Sequence, residues 1–276
     1  DTSLNPLQYI CDRASGTNIK IHAWFNAYIL YSNPYTLPEK RHIYHLFPEW
    51  TDYNSLGIRD RDILFGGAGG NYFEGVYLSP VHPRVNQYLF LLVKELVRNY
   101  PIDGIHFDYF RYQGKDWGFN PAGLRAFQKD TGASIRQLKQ AKGNGDEDEL
   151  ISRYDDYRRE KISELIKKVY NLSLSQQRPV DISVAVKANP RRAKYTFYQD
   201  WTRWVKNGWV DFVVPMNYSK SDKQFENNIY LINGRLSRNE REKVWMGVGV
   251  WKQSSLSAAA KVLITQKHHF PGVVFF

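Results

Sequence analysis

Six short segments that are apolar on both faces constrain this chain more than any other feature. They are "IKIHAWFNAY" (19–28), "DGIHFDYFRY" (103–112), "VDISVAVKANP" (180–190), "WVDFVVPMNY" (209–218), "KVWMGVGVW" (243–251) and "GVVFF" (272–276). A strand with two apolar faces must be covered on both, which is the condition of a parallel sheet wrapped in helices. The intervening segments supply those helices. In "HPRVNQYLFLLVKELVRNYP" (82–101), Val85, Leu89, Leu92, Val93 and Leu96 recur at helical spacing behind Pro83. Further helices are predicted at 5–16, after Asn120-Pro121, over about 148–174, and at 199–208, 223–234 and 256–268.

Two architectures use this alternation. An open doubly wound sheet binds phosphate through a glycine-rich turn between strand and helix, and the one glycine cluster, "GGAGG" (66–70), precedes no helix. The expectation is therefore an α/β chain folded as a (β/α)8 TIM barrel, one domain over 1–276 with a long loop insertion at about 31–80. Six strands fall two short of eight: either short strands hide within residues 31–80 or the first one or two strands are missing from this chain, and the second is the expectation.

Function in such a barrel collects at the C-terminal ends of the strands. Asp103, Asp181 and Asp211 stand at strand starts and read as anchors. The C-terminal ends carry Asn26, Asp108, Lys187 with Asn189, Asn217 with Tyr218, and Trp251. Alternation places His106 and Asp108 on one face, opposite Ile105 and Phe107, and likewise groups His22, Trp24 and Asn26. An inward carboxylate ringed by amides, a lysine and aromatic rings suits glycoside chemistry: the acid protonates a leaving oxygen and the rings carry sugar faces. The second carboxylate is not fixed by this pattern. Glu74, Asp116, Asp200 and Asp222 are the candidates, in loops or at helix starts, with Asp200 reading as a helix cap.

Aromatic residues make 15% of the chain, which favours a partner with flat faces, and the net charge of +10 favours an anionic one. The basic residues form no dense run; "RRAK" (191–194) is typical, so a nucleic-acid partner rests on charge alone and is not expected. Neither metal nor cofactor is expected: His42 and His45 have helical ligand spacing without a third ligand, and "HH" (268–269) stands near a helix end. The lone Cys11 excludes an internal disulfide framework, no window of 18 apolar residues exists, and no GxSxG elbow serves acyl transfer.

"HAWFNAY", "YLSPVHPRVNQYLFLLVKELVRNYPIDGIHFDYFRY", "QDWTRWVKNGWVDFVVPMNY" and "GVVFF" resemble, in order and spacing, the bacterial glycosyl-hydrolase-like family ten, formerly domain of unknown function 187. The resemblance implies a TIM-barrel glycosidase-type domain, exported and often an envelope lipoprotein, acting on amino-sugar polymers such as peptidoglycan glycan strands. It also implies two strands ahead of "IKIHAWF". Many members carry HFDDYF where this chain has Tyr109 after Asp108, which leaves Asp108 alone on its strand. Arg111 and Tyr112 match a "YxRY" ending suited to a substrate oxygen or carboxylate, and "PMNY" (215–218) assigns Asn217 and Tyr218 to the substrate.

The expected function is thus a glycoside hydrolase of the extracytoplasmic envelope with Asp108 as acid/base or orienting carboxylate. An N-acetyl group of the substrate could then serve as nucleophile. The alternative is a catalytically inactive glycan-binding barrel. Oligomeric state is not legible in the sequence.

Overall fold

The computed structural model describes residues 4–33, 35–65, 74–144 and 149–276. The "GGAGG" cluster and residues 145–148 lie outside them. Eight strands are described: β1 (His22–Asn26), β2 (Ile29–Tyr31), β3 (Val76–Tyr77), β4 (Gly104–Asp108), β5 (Asp181–Lys187), β6 (Phe212–Met216), β7 (Trp245–Val248) and β8 (Gly272–Phe275). The six segments apolar on both faces give one parallel sheet in the order β1-β4-β5-β6-β7-β8. Its register pairs Asn26 with Asp108 and Lys187 with Met216, so the polar strand ends stand side by side.

The sheet is curled. Five strand spacings of about 4.8 Å would hold the edges of a flat sheet roughly 24 Å apart. Yet Trp24 of β1 and Phe276, just past β8, meet edge to face with ring centroids 5.8 Å apart. The sheet is therefore the wall of a β/α barrel, open between β1 and β8 among the described residues. Helices cover its outside. Ile105, Phe107, Ile182, Val184 and Val186 are fully buried in one cluster with Leu89 and Val93 of helix Val85–Asn99 and with Ile162 and Ile166 of helix Glu149–Leu174. Each such side chain contributes about 1.5–3 kcal/mol by leaving water, so the outward faces of the strands hold the barrel together.

The N-terminal rim is tied by the aspartates at the strand starts. Asp103 accepts from the Ile21 N–H at 2.8 Å and pairs with Arg178, and Asp211 accepts from the Ile182 N–H at 2.7 Å. Gly104 is required where it stands, since a Cβ there would lie 2.4 Å from the His22 ring.

The insertion differs from the long loop expected. β2 and β3 form an antiparallel pair outside the barrel wall, with short helices at Ile43–Leu46 and Asp60–Phe65. Two buried carboxylates pin it. Asp60 accepts from the Tyr77 N–H at 2.6 Å and from Gln113 Nε2 at 3.1 Å, and Asp52 accepts from Ser79 Oγ at 2.7 Å. No helix among the described residues is long and apolar enough to cross a membrane.

Candidate active site

The inward faces of the strands enclose a cavity of about 1290 Å³ that runs from Lys20 and Trp245 at the N-terminal rim to Asp108, Lys187 and Trp251 at the C-terminal mouth. Asp108 ends β4, and alternation with the outward Phe107 turns it inward. Its Oδ1 accepts from the Tyr109 N–H at 2.7 Å. Burial raises its pKa, and that outweighs the opposing pull of the Tyr109 amide, Arg111, Lys187 and the Trp24 indole. Tyr109 holds φ at 50°, in the left-handed region. A bulky residue there costs on the order of 1–3 kcal/mol. Hydrogen bonds from Ala27 N to Asp108 O (2.9 Å) and from Tyr28 N to Tyr109 O (3.4 Å) hold the turn.

Glu74 enters the same cavity from the insertion. Arg111 Nη2 donates to its two oxygens at 3.0 and 2.8 Å, Tyr77 Oη donates at 2.7 Å, and Lys187 Nζ lies 4.0 Å away. Burial alone would raise the Glu74 pKa, but Arg111, Tyr77 and Lys187 outweigh it and hold the carboxyl below its ordinary range. The two carboxyls are thus pushed in opposite directions. A closed ring of contacts fixes this geometry: Arg111 to Glu74, Glu74 to Tyr77, the Tyr77 amide to Asp60, and Asp60 to Gln113, two residues beyond Arg111.

Arg111 is 3% exposed, its guanidinium lying 5.3 Å from the Tyr109 and Phe197 ring centroids. Lys187, at the end of β5, sits 4.7 Å over Phe197, and burial with the nearby Arg111 lowers its pKa to about 8. His106 lies one turn of the pleat below Asp108. Its Nδ1 is 2.9 Å from Ser183 Oγ, and burial lowers its pKa to about 4, so the ring is neutral near pH 7. Its Nε2 has no partner among the described residues. Trp24, Tyr218, Trp251 and Phe276 form an aromatic wall. Trp24 and Trp251 remain 60% and 56% exposed, and Tyr218 meets Trp251 and Phe276 at 4.9 and 5.4 Å.

The structure thus brings His22, Trp24, His106, Asp108, Arg111, Lys187, Tyr218 and Trp251 onto one cavity. Four residues expected there do not line it. Asn26 is exposed beside it. Tyr112 is buried, donates its hydroxyl to Arg158 O at 3.4 Å and packs on Tyr198. The Asn189 side chain caps helix Pro190–Thr196 by accepting from Arg192 N. Asn217 is spent on Phe225 O (2.9 Å) and Asn228 (2.8 Å). Of the candidate second acids, Asp200 pairs with Lys194 and makes no side-chain cap, and Asp222 pairs with the buried Lys261. Glu74 alone of the four lines the cavity. Tyr109 and Phe276 also line it and carried no strand-end signal.

A curled parallel wall with two carboxylates and an aromatic wall at its mouth is a β/α barrel of the glycosidase type. The chain belongs to the glycosyl hydrolase-like 10 family, whose model matches residues 1–257. Among curated proteins it is 26% identical over 230 residues to glycosyl hydrolase DigH of Escherichia coli K12, covering 78% of this chain and 46% of that protein. It is 22% identical over 245 residues to glycosyl hydrolase YngK of Bacillus subtilis strain 168, covering 79% and 39%. The chain spans less than half the length of these relatives. Its fold is shared with the glycoside hydrolase domain of PgaB (BpsB) from Bordetella bronchiseptica, at TM-score 0.65 and 11% identity over 99% of this chain and 75% of that one. An α-L-fucosidase isoenzyme from Paenibacillus thiaminolyticus shares it at TM-score 0.60 and 9% identity, over 98% and 36%.

Proposed function

We propose that the barrel hydrolyses glycosidic bonds in an amino-sugar polysaccharide of the bacterial envelope, such as peptidoglycan glycan strands, in an exported and lipoprotein-type setting. The observation that carries this reading is the opposed environment of two carboxyls on one cavity, Asp108 pushed up by burial and Glu74 held down by Arg111. Two titratable groups driven apart in this way mark an acid and an ionised partner. Protonated Asp108 gives its proton to the leaving glycosidic oxygen as the C1–O bond breaks. Ionised Glu74 supplies negative charge against the cationic transition state. In an N-acetylated sugar the acetamido oxygen can form the new bond to C1. Water then opens that intermediate while the Asp108 carboxylate takes its proton. Trp24, Tyr218 and Trp251 offer sugar platforms, and Arg111 and Lys187 bind substrate oxygens.

The test is hydrolysis of peptidoglycan-derived glycan strands by the wild type and by Asp108→Asn, with melting temperature as the folding control. Activity lost at unchanged melting supports the assignment; an active Asp108→Asn sinks it.

One observation favours a second reading, a glycan-binding barrel without turnover. Glu74 is already satisfied by Arg111 and Tyr77, as a purely structural ion pair would be. That reading predicts saturable oligosaccharide binding by a wild type that releases no product.

A further inference from the structure

A second cleft, of about 330 Å³, opens between the 3-10 turn Pro48–Trp50 and the N-termini of helices Val85–Asn99 and Pro121–Thr131. The first of these helices crosses back from the end of β1 to the start of β4, so its N-terminus lies at the same end of the barrel as Asp108. The polar groups of the lining that lack a partner among the described residues are mostly hydrogen-bond donors. His82 is 6% exposed, and its Nδ1 accepts from the Arg84 N–H at 3.3 Å. The neutral ring then carries its hydrogen on Nε2, for which the described residues offer no acceptor. Trp50 is also 6% exposed, stacked on Phe47 at 4.3 Å, and its Nε1–H has no partner among the described residues. Arg84 and Arg125 line the cleft without an ion pair among the described residues. Asn120 is spent, its Oδ1 on the Ala122 and Gly123 amides and its Nδ2 on Glu49 O and Thr51 O. The one opposing charge on the lining is the Glu49 carboxylate.

Two buried rings with spare N–H groups, two unpaired guanidiniums and the N-terminus of helix Val85–Asn99 form a donor-rich, electropositive recess. Such a recess selects a group that only accepts hydrogen bonds and carries negative charge. We propose that the Trp50–His82–Arg84–Arg125 cleft is an oxyanion subsite that takes the carboxylate or phosphate of an acidic glycan, outside the barrel cavity. The oxyanion part stands on these residues alone, and the glycan part rests on the function proposed above.

Isothermal titration of the wild-type chain with glucuronate, glycerol 3-phosphate and glucose tests it. Saturable binding of glucuronate or of glycerol phosphate is expected, the stronger of the two naming the source of the anion, with glucose at least tenfold weaker. Arg84→Gln combined with Arg125→Gln should weaken anion binding at least tenfold at unchanged melting temperature, because both side chains are exposed. Arg125→Lys, which keeps the charge and loses the planar fork, should give an intermediate loss. Asp108→Asn should leave anion binding unchanged whether or not the chain hydrolyses glycans. The proposal is overturned by a double variant that binds within twofold of wild type, by glucose binding equally well, or by no saturable anion binding. It is overturned too if Lys187→Met abolishes the binding while the double variant does not, which would place the anion in the barrel.

Discussion

The buried Arg111 guanidinium donates from one nitrogen to both oxygens of Glu74, at 3.0 and 2.8 Å. This contact joins the segment after the strand that carries Asp108 to the insertion that carries Glu74. It keeps one carboxyl of the pair ionised while burial works on the other.

Replacing Asp108 by Asn should lower turnover by roughly 10²- to 10⁴-fold, the range that a positioned acid/base contributes. Asn keeps the size of the side chain and an oxygen for the Tyr109 amide, so the melting temperature should stay within a degree or two. Initial rates on glycan strands beside a thermal melt decide this.

Arg111→Lys should move the acid side of the rate profile to higher pH. Arg111 lowers the Glu74 pKa, and a lysine lacks the planar guanidinium that lies against the Tyr109 and Phe197 rings and so does not hold its charge in the same place. Glu74 would then take up a proton at a higher pH than in the wild type, and a rate that depends on ionised Glu74 would begin to fall there. A kcat/KM profile between pH 4 and 8 reads the shift. An unmoved limb would remove Glu74 from the chemistry.

Asp52 titrates inside the fold, raised to about 6 by burial. Its folded pKa lies above the unfolded one, so its contribution is fully present below the unfolded value and is lost as pH rises through about 6. The full difference amounts to about 3 kcal/mol. Asp52→Asn keeps an acceptor for Ser79 and should flatten stability against pH between roughly 4 and 6. Chemical denaturation across that window measures it, and an unchanged slope would contradict the assignment.

Trp24→Ala and Trp251→Ala should raise KM by about two- to tenfold each, with kcat changed less, since an aromatic contact contributes about 0.5–1.5 kcal/mol. Both rings are largely exposed, so little stability is at stake. Equal losses in kcat alone would argue against a platform role.

The barrel wall was legible because its central strands β4, β5 and β6 are buried on both faces, which leaves apolar runs in the sequence, and the half-buried edge strands β1 and β8 carry similar runs. The insertion was not. Its strands are two and three residues long, and buried Asp60 and Asp52 replace much of the pairing that a longer ladder would provide. Asp108 and His106 could be placed by alternation, since a strand fixes the face of each residue. Residues past a strand's last pair obey no such period. There the backbone decides, and Asn189 and Asn217 turn to cap and brace the next helix rather than face the cavity. Glu74 lies outside every periodic segment, and only the fold reveals that Arg111 reaches it.

The ring of contacts through Arg111, Glu74, Tyr77, Asp60 and Gln113 has no loose end. A hinged flap needs one side that can let go, and here each link is backed by the next. Glu74 is thus held by Arg111 and Tyr77, with Lys187 close by, where it enters the cavity. In the proposed reaction a substrate meets Glu74 already held in place, with no closing motion needed to bring that carboxylate to the cavity.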